Sequence, residues 1–240
     1  MRGEGIPGEG QNNGAHPSPL TPHSLVIGVL AVQGDFAEHA LMLRRADPSV
    51  AVKEVRSPRD LEGIDGLIVP GGESTTIGKL LVAYGLEEPI KRAAEDGMPV
   101  WGTCAGMILL ARDILGTQPD GRIGLMDLTV QRNAFGRQVD SFEVDLPFRG
   151  LDHPIHAVFI RAPLVQKLGP RAEALATLPD GRVVAARQGN LLATAFHPEL
   201  TPDVSLHKWF IEQCAQRGRQ PTVHSPRGVD ERLKTDDRRL

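Results

Sequence analysis

Cysteine is scarce in this chain, with two residues among 240. Two thiols do not make a disulfide framework, and a reducing compartment suits a thiol that works free. A long hydrophobic run is missing as well. The longest uninterrupted apolar stretch, Leu25 to Val32, is far shorter than the roughly 20 residues that cross a bilayer. Residues 1–24 are polar and rich in Gly and Pro, without the apolar core of a secretory leader, so a cytoplasmic location is expected. Charge of one sign is not in excess either. A net charge of −3 gives no basic footprint for nucleic acid and no polybasic patch for a membrane. His153, His156 and His207 lack the spacing of a zinc site, and no G-x-x-x-x-G-K-[ST] pattern is present to cradle a nucleotide phosphate. Neither a metal nor a cofactor is expected. What remains, 40% hydrophobic and 24% charged residues, is ordinary material for a globular domain.

The ends differ from the middle. Residues 1–24 and 218–240 offer little apolar surface to offset the entropy of ordering, so both are expected to be flexible extensions of a domain spanning 25–217. Within that domain, short apolar runs alternate with helical patterns. Strands are expected at Leu25–Val32, Val50–Val55, Leu67–Val69 and Val100–Gly102. Helices are expected at Asp35–Arg45, with Phe36, His39, Ala40 and Leu43 along one side, and between Ser74 and Glu95. This alternation predicts a doubly wound, mostly parallel sheet, in which ligands bind outside the carboxyl ends of the strands. Gln33, Gly72 and Cys104 fall at such ends. Farther along, Leu128–Arg132, Ser141–Leu146, Ile155–Ile160 and Val183–Arg187 read as strands with antiparallel pairing, Leu191–Ala195 as a buried strand, and Asp203 to Gln216 as a closing amphipathic helix.

Three stretches carry chemistry. Gly102-Thr103-Cys104-Ala105-Gly106 sets a cysteine between glycines where a strand is expected to turn into a helix. Glycine permits the tight turn, and a helix N-terminus favours a thiolate, so Cys104 is the candidate nucleophile. Taken alone, a free cysteine is as readily a small buried hydrophobe, and Cys214 on the last helix reads that way. Phe196-His197-Pro198-Glu199 follows the strand ending at Ala195. If the backbone stays extended there, His197 and Glu199 point to the same side, as a general base and the carboxylate that orients it. Pro70-Gly71-Gly72-Glu73-Ser74 places paired glycines at another strand end, where open backbone N–H groups can receive an oxyanion. His39 reads as packing or surface. Gln33 either lines the pocket or merely ends its strand.

Together these motifs resemble class I (triad-type) glutamine amidotransferases. The wider wording is closest to the glutaminase subunits of pyridoxal 5'-phosphate synthase. That likeness rests on Ile27 to Gly34, Pro70 to Thr76, Gly102 to Gly106, Arg132 to Glu143, Phe159 to Pro163 and His197 to Thr201. The Arg132 and Phe159 segments are the most specific to this subunit.

The resemblance implies a three-layer, flavodoxin-like α/β fold, with a mostly parallel sheet and additional antiparallel strands. It implies hydrolysis of L-glutamine to glutamate and ammonia by Cys104, His197 and Glu199, with backbone N–H groups of Gly72 and Ala105 as the oxyanion hole. Glutamine contacts would come from Gly72, Glu73, Ser74, Arg132, Ile160 and Arg161. The implied partner is a (β/α)8-barrel synthase subunit, in a large heteromeric ring, that receives the ammonia. The alternatives are a glutaminase serving another biosynthetic pathway, a cysteine hydrolase on a similar sheet, and an inactive module that only scaffolds a synthase.

Overall fold

The structure, a computed structural model, describes residues 24–132 and 141–218. Residues 1–23, 133–140 and 219–240 lie outside it, and with them the expectations for the two extensions and for most of the stretch from Arg132 to Glu143. The chain runs β1 (Val26–Leu30), α1 (Phe36–Ala46), β2 (Ala51–Val55), β3 (Gly66–Val69), α2 (Ser74–Ala83), α3 (Glu87–Glu95), β4 (Val100–Thr103) and α4 (Ala105–Leu110). It continues through β5 (Ala111–Leu115), β6 (Met126–Gln131), β7 (Ser141–Leu146), β8 (Ile155–Ile160), β9 (Leu164–Leu168), β10 (Glu173–Thr177), β11 (Val183–Gln188), β12 (Leu191–Thr194) and α5 (Ser205–Gly218).

Seven of these strands form one sheet in the order β10-β11-β12-β4-β3-β1-β2. From β12 to β2 every neighbouring pair is parallel, while β10-β11 and β11-β12 are antiparallel. Every residue of β3, β4 and β12 is buried, which is why these strands appear in the sequence as continuous apolar runs rather than alternations. Successive residues of β4 face opposite ways. The Trp101 ring meets His39 of α1 and His207 and Phe210 of α5, whereas a Cβ on Gly102 would strike Gly106 and Leu110 of α4. One helical layer therefore holds α1 and α5, and the other holds α4 with α2 against it. Three layers result.

Two smaller units complete the molecule, a sheet β5-β6-β9 and an antiparallel ribbon β7-β8. The ribbon leans on the site: the His197 N–H donates to the Val158 carbonyl at 2.8 Å.

Candidate active site

Cys104 stands between β4 and α4 with φ +46° and ψ −100°. Among the described residues, Cys104 and Arg161 are the two non-glycines with positive φ, and Arg161 directly follows Ile160, whose carbonyl faces the Cys104 sulfur. Such conformations cost about 1–3 kcal/mol each and persist where the surroundings enforce them. The enforcement at Cys104 is visible. Its N–H donates to the Thr194 carbonyl at 2.8 Å, fixing it to β12. A Cβ on Gly106 would come within 2.1 Å of the Val69 carbonyl oxygen, so α4 reaches β3 this closely only with glycine there. The Ala105 N–H belongs to the first turn of α4, where backbone donors lack intrahelical acceptors. The Cys104 thiol is nearly buried, with Sγ 3.9 Å from the Ile160 carbonyl oxygen.

His197 and Glu199 meet, though not on the extended backbone expected. Past β12 the chain enters a 3-10 turn at Pro198–Leu200, because Pro198, with its fixed φ and missing N–H, suits the first position of a turn better than a strand. The short turn still brings the His197 Nδ1 to 2.6 Å from Glu199 Oε1. Asp35, the residue before α1, lies on the same side of the ring, its Oδ2 3.4 Å from Nδ1. A carboxylate only accepts, so Nδ1 carries the proton and Nε2 is left for the sulfur. Burial, the largest influence on His197, pulls its pKa down. Hydrogen bonds with Asp35, Cys104 and Glu199 outweigh that and hold it up, at about 12. Burial pushes the Glu199 carboxyl up while the bond and charge of His197 oppose the rise. The short contact between opposite charges favours imidazolium and carboxylate together.

The glycine loop closes the other side. A Cβ on Gly71 would fall 2.5 Å from His197 Cε1, so the loop lies directly against the ring. Gly72 has φ +147°, and the next N–H, that of Glu73, donates to Gln33 Oε1 at 2.9 Å. Gln33 thus lines the loop as well as following β1. Glu73 caps α2 by accepting from the Thr76 N–H at 2.7 Å and also receives the Thr75 hydroxyl. Burial raises the Glu73 pKa, but these bonds from Thr75 and Thr76 win and lower it to about 2. Arg132 donates to Glu73 Oε1 at 2.9 Å and to the Thr117 carbonyl at 3.0 Å. Ser74 is buried at the start of α2, whereas Ile160 is 41% exposed on the ribbon beside Arg161.

His39, read from the sequence as packing or surface, is packed inside. This buried side chain lies behind Glu199, its Nε2 3.3 Å from Oε2. Its partners, Thr103 and His207, are 64 and 168 residues away along the chain. Cys214 is the small buried hydrophobe expected: it is fully buried in the core and its thiol is pushed up by burial.

Asp35, His197 and Glu199 also bring one metal-ligating atom each within 4.8 Å of one another. The 2.6 Å separation of Nδ1 and Oε1 is a hydrogen bond, with no room for an ion between.

A sulfur on a strained strand-to-helix corner and an imidazole backed by a carboxylate, on the doubly wound sheet of an α/β protein, form an arrangement suited to acyl transfer through a thiol. The chain belongs to the SNO glutamine amidotransferase family, whose model matches residues 29–216. Two relatives, each named pyridoxal 5'-phosphate synthase subunit PdxT, come from Moorella thermoacetica and Herpetosiphon aurantiacus. The first is 61% identical over 188 residues, covering 78% of this chain and 97% of the relative. The second is 58% identical over 191 residues, covering 78% and 99%. A crystal structure of a glutamine amidotransferase is similar at TM-score 0.74 and 51% identity, covering 79% of this chain and 98% of that one.

Proposed function

We propose that this chain hydrolyses L-glutamine to glutamate and ammonia and passes the ammonia to a pyridoxal 5'-phosphate synthase. The observation that carries the reading is Cys104, held at φ +46° on a strand end in a chain whose relatives are PdxT subunits, with His197 bonded to the Glu199 carboxylate at 2.6 Å. The Cys104 thiolate attacks the side-chain carboxamide, and the C–N bond breaks to leave a thioester on sulfur. His197 Nε2 takes the thiol proton, gives one to the departing nitrogen, then removes one from the water that cleaves the thioester. Glu199 keeps the ring in the Nδ1–H form and stabilises its cation. Backbone N–H groups of Gly72 and Ala105 receive the oxyanion of each tetrahedral intermediate.

Glutamine lies across Gly72, Glu73, Ser74, Arg132, Ile160 and Arg161. An arginine suits the substrate carboxylate because its fork binds bidentately, and the Glu73 carboxylate suits the α-ammonium. In the free protein Glu73 and Arg132 neutralise each other, so two substrate charges replace one internal pair.

Ammonia released into neutral water becomes ammonium and is no longer nucleophilic. The domain at 25–217 therefore works docked on a (β/α)8-barrel synthase within a ring assembly of both subunits in the cytoplasm. No helix among the described residues is long and apolar enough to cross a membrane. The test is glutamate release with and without synthase: the isolated chain is slow, and synthase raises the rate. Cys104→Ala abolishes glutamate release yet leaves ammonia-fed synthesis by the partner intact. A chain that releases no glutamate in either state, or a Cys104→Ala variant that still does, refutes the reading.

A further inference from the structure

Behind Glu199 two buried histidines take no part in the steps above. His39 on α1 and His207 on α5 are both fully buried, with His39 Nδ1 3.0 Å from His207 Nε2. The other nitrogen of His39 is 3.1 Å from the Thr103 hydroxyl and 3.3 Å from Glu199 Oε2. The Glu199 Oε2 atom accepts no hydrogen bond among the described residues, and His39 Nε2, whose own hydrogen bond is with Thr103, stands 3.3 Å from it. A buried carboxylate oxygen with nothing donating to it is costly, which makes the nitrogen facing it significant.

The order of protons along this row follows from counting. Burial is the main force lowering both pKa values, with His207 and His197 adding to it for His39; His207 falls to about 3 although Asp203 pulls the other way. Both rings are therefore neutral, and each carries one N–H. Suppose His39 donated from Nδ1. Its Nε2 would then turn a lone pair on the Glu199 anion, and His207 would carry its proton on Nδ1, a buried atom with no partner. In the reverse order His207 Nε2–H donates to His39 Nδ1, and His39 Nε2–H faces Glu199 with the Thr103 hydroxyl beside it. The idle atom is then a lone pair on His207 Nδ1, which costs less than a stranded N–H or two opposed lone pairs. Trp101 packs edge-on against both rings, at 5.7 and 5.0 Å between centroids, and limits their rotation.

We propose that His39, held by His207 and Thr103, is a positioning residue for glutamine hydrolysis, its Nε2–H set 3.3 Å from the otherwise unpartnered Glu199 Oε2, where it keeps that carboxylate ionised and aimed at His197. The proposal rests on the glutaminase reading above. The ionisable groups facing Glu199 are His197, Asp35 and His39, and those facing His39 are His207, His197 and Glu199.

The test compares His39→Leu with His39→Gln in the full chain, reading glutamate release with synthase across pH. In His39→Leu, kcat falls roughly tenfold to hundredfold, the usual cost of losing such a supporting group, while KM for glutamine barely moves. Without its donor Glu199 holds a proton more tightly, so the acid limb of kcat/KM moves to higher pH. His39→Gln, whose amide N–H reaches the place of Nε2–H, recovers most of the rate and the limb. Unchanged kcat and acid limb in His39→Leu overturn the proposal, and so does equal loss in both variants with the limb unmoved. Should the leucine variant not fold, nitrogen NMR of the histidines in the unsubstituted chain decides. Protons are expected on Nε2 of both His39 and His207, and a proton on Nδ1 of His39 overturns the proposal. The NMR readout is independent of turnover. An unsubstituted chain that hydrolyses no glutamine therefore sinks the functional reading separately.

Discussion

Gly71 shows how little space separates the His197 ring, the proposed base, from its surroundings. Any side chain there would place its Cβ 2.5 Å from His197 Cε1 and 2.9 Å from Nδ1, closer than real Cβ atoms approach their neighbours. In Gly71→Ala either the loop or the imidazole must yield by a sizeable fraction of an ångström. Misplacement on the order of 1 Å costs about a hundredfold in rate, so kcat/KM for glutamine should fall by about that factor. The fold should persist, since Gly71 has no positive φ to lose. Glutamate-release kinetics beside a thermal melt separate the two effects, and an active Gly71→Ala variant would mean that the loop gives way freely. Residue chemistry was legible where it is local. His197-Pro198-Glu199 announces an imidazole paired with a carboxylate within three positions, and Cys104 between glycines announces a strained corner. His39 announces nothing, because a lone histidine on an amphipathic helix looks like packing until Thr103, His207 and Glu199 surround it.

Helix α2 begins at the site, and its stability is tied to a site residue. Glu73 caps it through the Thr76 N–H, and replacing an N-cap acceptor by alanine costs about 1 kcal/mol. Glu73→Ala should therefore lower the melting temperature and raise KM for glutamine together. Glu73→Asp, still a good cap but shorter, should restore the first more than the second. A Glu73→Ala variant with unchanged KM would remove Glu73 from the substrate contacts. The sign of the acid response follows from its lowered pKa: the cap's contribution is present above the ordinary carboxylate range, near pH 4.5, and drains away as pH falls toward about 2. Elements were legible where the apolar pattern was regular, whether as a continuous run or as the alternation of the half-exposed β7. The fully buried strands β3, β4 and β12 stand out as apolar runs, whereas β9 and β10, half-exposed and rich in Gln, Lys, Glu and Thr, leave no such trace. Ala111–Leu115 continues the helix-like run before it, yet the chain leaves α4 as strand β5 because it pairs with β6, a partner no local pattern reveals.

Over the whole molecule, the buried histidines pull stability in opposite directions as pH changes. His197 binds its proton more tightly when folded, so its contribution is complete below about pH 6.5 and is lost as pH rises toward about 12. His39 and His207 are held neutral, so their contribution is present above about pH 6.5 and is lost as pH falls, toward about 3 for His207. One proton taken up only by the unfolded chain gives a slope of about 1.4 kcal/mol per pH unit. Chemical denaturation of His207→Phe should show an acid flank shallower than that of the unsubstituted chain by up to that amount. Parallel flanks would mean that His207 titrates when folded much as it does unfolded.

The alternation along β4 has a wider consequence. Trp101 and Thr103 face the α1/α5 side, where His39 and His207 lie, and Gly102 faces α4, on which the nucleophile's helix rides. The buried histidines behind Glu199 and the helix that follows the sulfur thus sit on opposite sides of one four-residue strand. The two sides are tied through β12: Trp101 donates to the Thr194 hydroxyl at 3.1 Å while the Thr194 carbonyl holds the Cys104 N–H at 2.8 Å, so a change in one helical layer is felt at the sulfur through a single residue.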